Sequence, residues 1–136
     1  MVSLFEVDEL VLQYPSIYGV SSPAKSLKLA YKLNNLNRLF VEAIENIKTY
    51  SKTSSHQAYL ISDLDTEESA FLIKNRGSNG FYFPSFKKVD YLLCSATDDE
   101  LNQELIKLIS ELMTVSICFA LSEPNPKELL NFTQLL

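Results

Sequence analysis

A single histidine, His56, sets the ceiling on nucleophilic and metal chemistry in this chain. A catalytic triad would have to use it, and a zinc site would need more nitrogen and sulfur ligands than the sequence groups together. No GxSxG elbow, Walker A loop, GxGxxG turn or HExxH helix occurs in the 136 residues. His56 falls where a loop passes into a strand pattern, so a surface histidine is expected there rather than a general base. The acids Asp63, Asp65, Glu67 and Glu68 alternate as calcium ligands do. In an EF-hand register, however, Glu68 takes the position that requires Gly and Lys74 the position that requires Glu. The four acids are therefore read as the solvated tip of a hairpin. No catalytic residue, metal or cofactor is expected.

A basic helix face is the sharper candidate. Lys25, Lys28 and Lys32 recur at helical spacing, Arg38 lies just beyond, and Ser21 and Ser22 stand where the helix would begin. Backbone amides at that end, together with the lysines, would suit an anion or an acidic partner. Up to residue 53 the chain holds six basic and five acidic residues, whereas the remainder holds six and twelve. The whole carries a net charge of −5, which disfavours nucleic acid and anionic membranes unless a local basic patch overrides the long-range field. RNA binding through Lys25, Lys28, Lys32 and Arg38 is the third reading. Asp90 stands at the head of an apolar strand, where an uncompensated carboxylate is costly. A structural role is expected for it, hydrogen-bonding the corner at 84–88 or pairing with a lysine, Lys87 and Lys88 being its neighbours.

Positioning these residues requires elements, and the stretch 81–96, FYFPSFKKVDYLLCSA, organises them. It reads as a short strand at 81–83, a Pro-initiated corner at 84–88 and a strand at 89–94 that is apolar on both faces. Val89, Tyr91 and Leu93 would face one way, Leu92 and Cys94 the other. Upstream, 16–21 is strand-like, and Ser22-Pro23 starts a helix that runs to Asn34, with Ala24, Leu27, Ala30 and Tyr31 on its buried stripe. Residues 38–43 alternate as a strand, 44–50 suit helix or strand, and 51–55 form a turn. The segments 56–62 and 69–75 pair as a hairpin, followed by a tight turn at 76–80. Downstream, Thr97-Asp98-Asp99-Glu100 has capping-box spacing before a helix with Leu101, Leu105, Leu108, Ile109 and Leu112 on one stripe. Residues 114–121 alternate large and small as a strand. PKELLNF at 126–132 suits a short helix or an edge strand, and 4–13 is equally open.

The predicted class is α+β: a single domain over 1–136, a mainly antiparallel sheet with two or three helices packed on it, in the order β-α-β-β-β-β-β-α-β. A sheet backed mostly on one face leaves the other to solvent or a partner. The expected function is thus a non-enzymatic binding or adaptor domain acting through protein contacts, with a protein partner or a second copy. The alternative is a domain for a small anionic, phosphate-type ligand at Ser21, Ser22 and the basic helix face, with or without enzymatic activity.

Cys94 and Cys118 lie in apolar runs without metal spacing, the usage of buried reduced thiols. The first nine residues include Glu6, Asp8 and Glu9 but no Lys or Arg, and no apolar run approaches the roughly 18 residues of a membrane span. A cytoplasmic protein is expected. The run Phe83-Pro84-Ser85-Phe86-Lys87-Lys88-Val89-Asp90-Tyr91 resembles the signature of the IPExxxVDY family, small proteins of the Bacteroidota without an assigned activity. Pro84, Val89, Asp90 and Tyr91 match it, while Phe83 replaces Ile and Ser85 replaces Glu. SIYGVSSPAKSLKLAYKLN is similar to the family's strand and Asn-terminated helix, and VSICFALSEPNPKELLNF to its last strand and tail. The resemblance implies a bacterial cytoplasmic protein in which the four matching residues mark the fold. Ser85 removes any carboxylate base at its position.

Overall fold

Tyr91, Leu92, Leu93 and Cys94 are all buried, and a strand buried on both faces belongs inside a sheet. The computed structural model describes residues 16–22, 25, 28, 31, 33–34, 39–64, 69–95, 107, 117–121 and 126–133. In chain order its strands are β1 (Ser16–Ser21), β2 (Leu39–Lys48), β3 (Ser55–Asp63), β4 (Ser69–Lys74), β5 (Arg76–Gly77), β6 (Gly80–Phe81), β7 (Tyr91–Ser95) and β8 (Ile117–Ala120). A 3-10 turn at Pro84–Phe86 and one helix, α1 (Pro126–Thr133), complete the described elements. Six strands form one sheet in the order β2-β3-β4-β7-β1-β8, with every pair antiparallel, and β5 and β6 form a separate two-stranded ribbon.

Period-two alternation builds two cores, one on each face of this sheet. Val20, Leu39, Tyr59, Ile61, Ala70, Leu72, Tyr91 and Leu93 pack on one side together with Leu33. Ile17, Ala58, Ile73, Leu92 and Cys94 pack on the other, beneath Tyr82, Phe83, Val89 and Phe132. Each fully buried apolar side chain of this size contributes roughly 1.5–3 kcal/mol. The face expected to be open is therefore covered, by the segment 82–89 and by α1. Gly19 allows the close approach of Val89: a Cβ at Gly19 would lie 2.9 Å from a Val89 methyl.

The covering segment is hung on Asn75, which is completely buried. Its backbone N–H donates to the Asp90 carbonyl at 2.9 Å and its carbonyl accepts from the Tyr82 N–H at 2.8 Å. Its side-chain Nδ2 donates to the carbonyls of Phe86 and Val89 at 2.9 and 3.0 Å, and Oδ1 accepts from the Phe83 N–H at 2.8 Å. Two carbonyls on one side and an N–H on the other leave the amide only one orientation. Residues 82–90 form no ladder of their own, so Asn75 supplies the partners that buried backbone groups require.

Several expectations are corrected by this arrangement. The architecture is mainly β rather than α+β with two or three packed helices: among the described residues one helix of eight residues is traced from end to end. The strand expected at 38–43 is present, and the segment left open at 44–50 continues it as far as Lys48, so that 39–48 form one ten-residue strand paired with β3. A bulge between Ile44 and Ile47 keeps both half-buried after the shift in register. The strand expected at 81–83 ends at Phe81, and Tyr82 and Phe83 turn inward. The strand expected at 89–94 begins at Tyr91, so Val89 joins the core of Leu92 and Cys94, opposite Tyr91 and Leu93. Tyr31, expected on the buried stripe, is 66% exposed, and Leu33 is the residue that faces the core.

Lys28, Tyr31, Leu33, Asn34 and Lys107 are helical. Ser22 and Lys25, expected in the first turn of the helix at 22–34, are not helical. The remainder of the helices expected at 22–34 and 97–112, including the capping box, lies outside the described residues, as do 4–13 and 114–116. The hairpin expected from 56–62 and 69–75 is present as β3 and β4, and PKELLNF is helical within α1.

Replacing Asn75 by Ala removes the side-chain partners of the Val89 carbonyl and the Phe83 N–H and takes one of two donors from the Phe86 carbonyl, which keeps the Val89 N–H. It is expected to cost about 3 kcal/mol, read as a lowered urea midpoint, since each unsatisfied buried group costs about 1–3 kcal/mol. Asn75→Asp retains the acceptor for Phe83 but sets a carboxylate against the Phe86 and Val89 carbonyls. Its loss should be at least as large.

Candidate functional site

Elements that end near the corner create several depressions among the described residues, of which two combine segments distant in the chain. The smaller, of about 330 Å³, lies between the end of β1, the end of β4, β5 and the corner. Lys25, Lys74, Arg76 and Lys87 line it, together with Ser22, Phe81, Val89, Asp90 and Tyr91. Its four basic side chains come from three separate chain segments, Lys25, the 74–76 junction of β4 and β5, and the corner, against one carboxylate. Among the described residues none of the four is in an ion pair. Lys87 Nζ stands 6.0 Å from the Phe81 ring centroid, within cation–π range.

The sequence-predicted anion site is only partly assembled here. Ser22 and Lys25 line this cleft. Ser21 is half-buried at the end of β1, paired in register with Ile117. Lys28 is an exposed helical residue outside the cleft, and Lys32 and Arg38 lie outside the described residues. The amide end that was to hold an anion already holds one of the protein's own: Ser22 N–H donates to Asp90 Oδ2 at 2.7 Å. Asp90 thus fastens β7 to the end of β1, while Asn75 holds the corner that Asp90 was expected to hold. Of the other signature residues, Pro84 opens the 3-10 turn in an exposed position, and Val89 and Tyr91 are buried in opposite cores.

Lys74 and Arg76 were not singled out from sequence. Each closes or opens a strand, a position where a charged residue is unremarkable, and nothing local connects them with Lys25, about fifty residues earlier. Of the cleft's cations, the sequence brought forward Lys25, on the expected helix, and Lys87, near Asp90 in the signature.

The larger depression, about 610 Å³, lies between the turn at 49–54, the corner and α1. Its walls are preset by internal hydrogen bonds. Glu128, buried in α1, accepts from Ser85 N–H at 2.7 Å and from Ser85 Oγ–H at 2.8 Å, one on each carboxylate oxygen. Asn131 accepts from Tyr50 N–H at 2.8 Å and donates to the Tyr82 carbonyl at 3.0 Å. The Tyr82 hydroxyl donates to the Asn131 carbonyl. Lys52 sits in the left-handed region, φ 61°, where the 49–54 turn closes with Lys52 N–H donating to the Thr49 carbonyl. Ser85, which replaces the signature glutamate, therefore bonds to a glutamate supplied by α1.

His56 lines neither depression. Expected at the surface, it is completely buried, because β3 begins at Ser55 and the β5–β6 ribbon folds over it. Its ring meets Tyr82 edge-on at 5.2 Å, and Tyr82 meets Phe132 in the same way. Nδ1 lies 2.9 Å from the Lys74 carbonyl, which can only accept, so Nδ1 carries the proton. Nε2 has no hydrogen-bond partner. A Cβ at Gly77 would fall 2.5 Å from Cε1 and 2.6 Å from Nε2 of His56, which reserves that position for glycine. Asp63, expected at a solvated hairpin tip, is also buried, at the end of β3 opposite Leu39, while Asp65, Glu67 and Glu68 lie outside the described residues. Cys94 is buried in β7. No helix among the described residues is long and apolar enough to cross a membrane.

Burial opposes the charged form of His56 and holds its pKa below the ordinary 6.5, outweighing the backbone hydrogen bonds of Lys74 and Asn75 that act in the other direction. The unfolded chain therefore takes up this proton first as pH falls. The folded state keeps its full stability above 6.5 and loses it below, at up to about 1.4 kcal/mol per pH unit. Between pH 7.5 and 5.5 the protein should lose stability that His56→Gln does not lose, measured by urea denaturation at both values. Scans of the chain against known family models, curated proteins and solved structures find no match.

Proposed function

We propose that the chain is a non-enzymatic binding domain acting through protein contacts, with the larger depression as the recess for a partner's side chain. The observation that carries this reading is how the walls are held. Both Glu128 oxygens are committed to Ser85, and the Asn131 amide to Tyr50 and Tyr82, so the polar groups brace a fixed shape. A preset recess lowers the ordering cost of association. Tyr50 at its rim is 45% exposed, a large amphipathic ring of the kind that anchors interfaces. The same reading places the protein in the cytoplasm, supported by Cys94 and Cys118 in apolar runs. It keeps the likeness of 83–91 to the IPExxxVDY signature as a likeness in the fold of the corner.

Photo-crosslinking in producing cells tests the recess. A benzoylphenylalanine at Tyr50 is expected to give a discrete adduct, and the same probe at Leu64, 61% exposed on the β3–β4 loop, none. An adduct of twice the chain mass would identify the partner as a second copy. No adduct at position 50, or equal adducts at both positions, would reject the proposal.

A further inference from the structure

We infer that the smaller cleft is a binding site for the phosphoryl group of a small phosphomonoester. Lys25, Lys74, Arg76 and Lys87 converge there against Asp90 alone, a local excess of three positive charges in a chain whose net charge is −5. Like charges gathered at one cleft repel one another, and among the described residues none of the four is neutralised by an ion pair. A dianion with three or more acceptor oxygens removes that repulsion and satisfies several donors at once, with Arg76 offering two parallel N–H groups and the lysines point charges. Asp90 is the one opposing charge, and its Oδ2 is engaged by the Ser22 N–H. That bond also fixes the cleft floor where β1 meets β7.

The size and the remaining wall point to the ester. About 330 Å³ is the scale of a small-molecule site and too small for a folded partner. Phe81 supplies an apolar surface beside the cations, held next to Lys87, and can cover an organic group attached to the phosphate. The backbone that presents Lys74 and Arg76 is held from below by His56, through the Lys74 carbonyl, and by Asn75. The donors are therefore carried by the packed core and not by a free loop. The site shares Lys87 and Phe81 with the larger recess, while Lys25, Lys74 and Arg76 line the smaller cleft and not the larger.

Titration of the full chain with inorganic phosphate and with phenyl phosphate, at constant ionic strength and pH 7.5, tests the inference by calorimetry and by amide shifts. Both probes are expected to bind with shifts centred on Ser22, Arg76 and Lys87, with phenyl phosphate severalfold tighter. Lys74→Ala with Arg76→Gln should weaken both at least tenfold while the amide spectrum elsewhere and the thermal midpoint confirm folding. Lys28→Gln, on the exposed helix outside the cleft, should leave affinity unchanged. The inference is overturned if neither probe binds, if Lys28→Gln weakens binding as much as the cleft variant, or if phenyl phosphate binds no tighter than phosphate. Should the double variant not fold, Lys87→Gln alone is the substitute, with a severalfold loss expected and an unchanged affinity counting against the site.

Discussion

The side-chain amide of Asn75 holds together parts of the chain that have no other reason to meet. A proline corner running from Tyr82 to Asp90 lacks regular backbone pairing, yet it must be buried, because Tyr82, Phe83 and Val89 cover one face of the central strands. Burying irregular backbone is costly unless each N–H and carbonyl finds a partner. Asn75 meets that demand from a single position, with its side chain serving Phe83, Phe86 and Val89 and its backbone serving Tyr82 and Asp90. Glutamine would place the same amide one methylene too far out, and aspartate would lack the donors. The aromatic chain His56, Tyr82, Phe132, Phe83 and Phe86 then packs edge to face through the space that the corner encloses.

Both depressions are consequences of that corner. It lifts Phe81 and Lys87 above the sheet, and the space on either side is closed by different neighbours: the ends of β1 and β4 on one side, the 49–54 turn and α1 on the other. The residues that brace the walls are mostly neutral and internally bonded, whereas the residues that face the smaller cleft are cationic. This division separates the groups that maintain shape from those available to a ligand. The exchange of a signature glutamate for Ser85 fits the same pattern, since the carboxylate at this place comes from Glu128 of α1 and serves to brace.

Charge along the chain was a poor guide to charge in space. The carboxyl-terminal part is strongly acidic, yet three of the four cations of the cleft, Lys74, Arg76 and Lys87, come from it. Only Lys25 belongs to the basic helix that the sequence brought forward. Likewise, polar flanks made His56 and Asp63 look solvent-facing, and both are buried, His56 beneath the β5–β6 ribbon and Asp63 within β3 where it pairs with Leu39 of β2.

What the sequence determined by itself is what rests on short-range pattern. Alternation over β3 and β4 made the hairpin legible, and the unbroken apolar run of β7 marked a strand buried on both faces, because side-chain direction in a strand follows from backbone geometry alone. The tertiary structure decided everything that depends on a distant partner. Residues 44–50 suit helix or strand, and as far as Lys48 the choice fell to β3, whose edge continues the ladder begun at Leu39. Val89 faces the opposite side from the one its spacing implied, because the strand begins two residues later and Gly19 leaves room for it. Lys25, Lys74, Arg76 and Lys87 become one surface only when β1, β4 and the corner are brought together, a juxtaposition fixed by hydrogen bonds from Asn75 and Asp90 that no local spacing encodes.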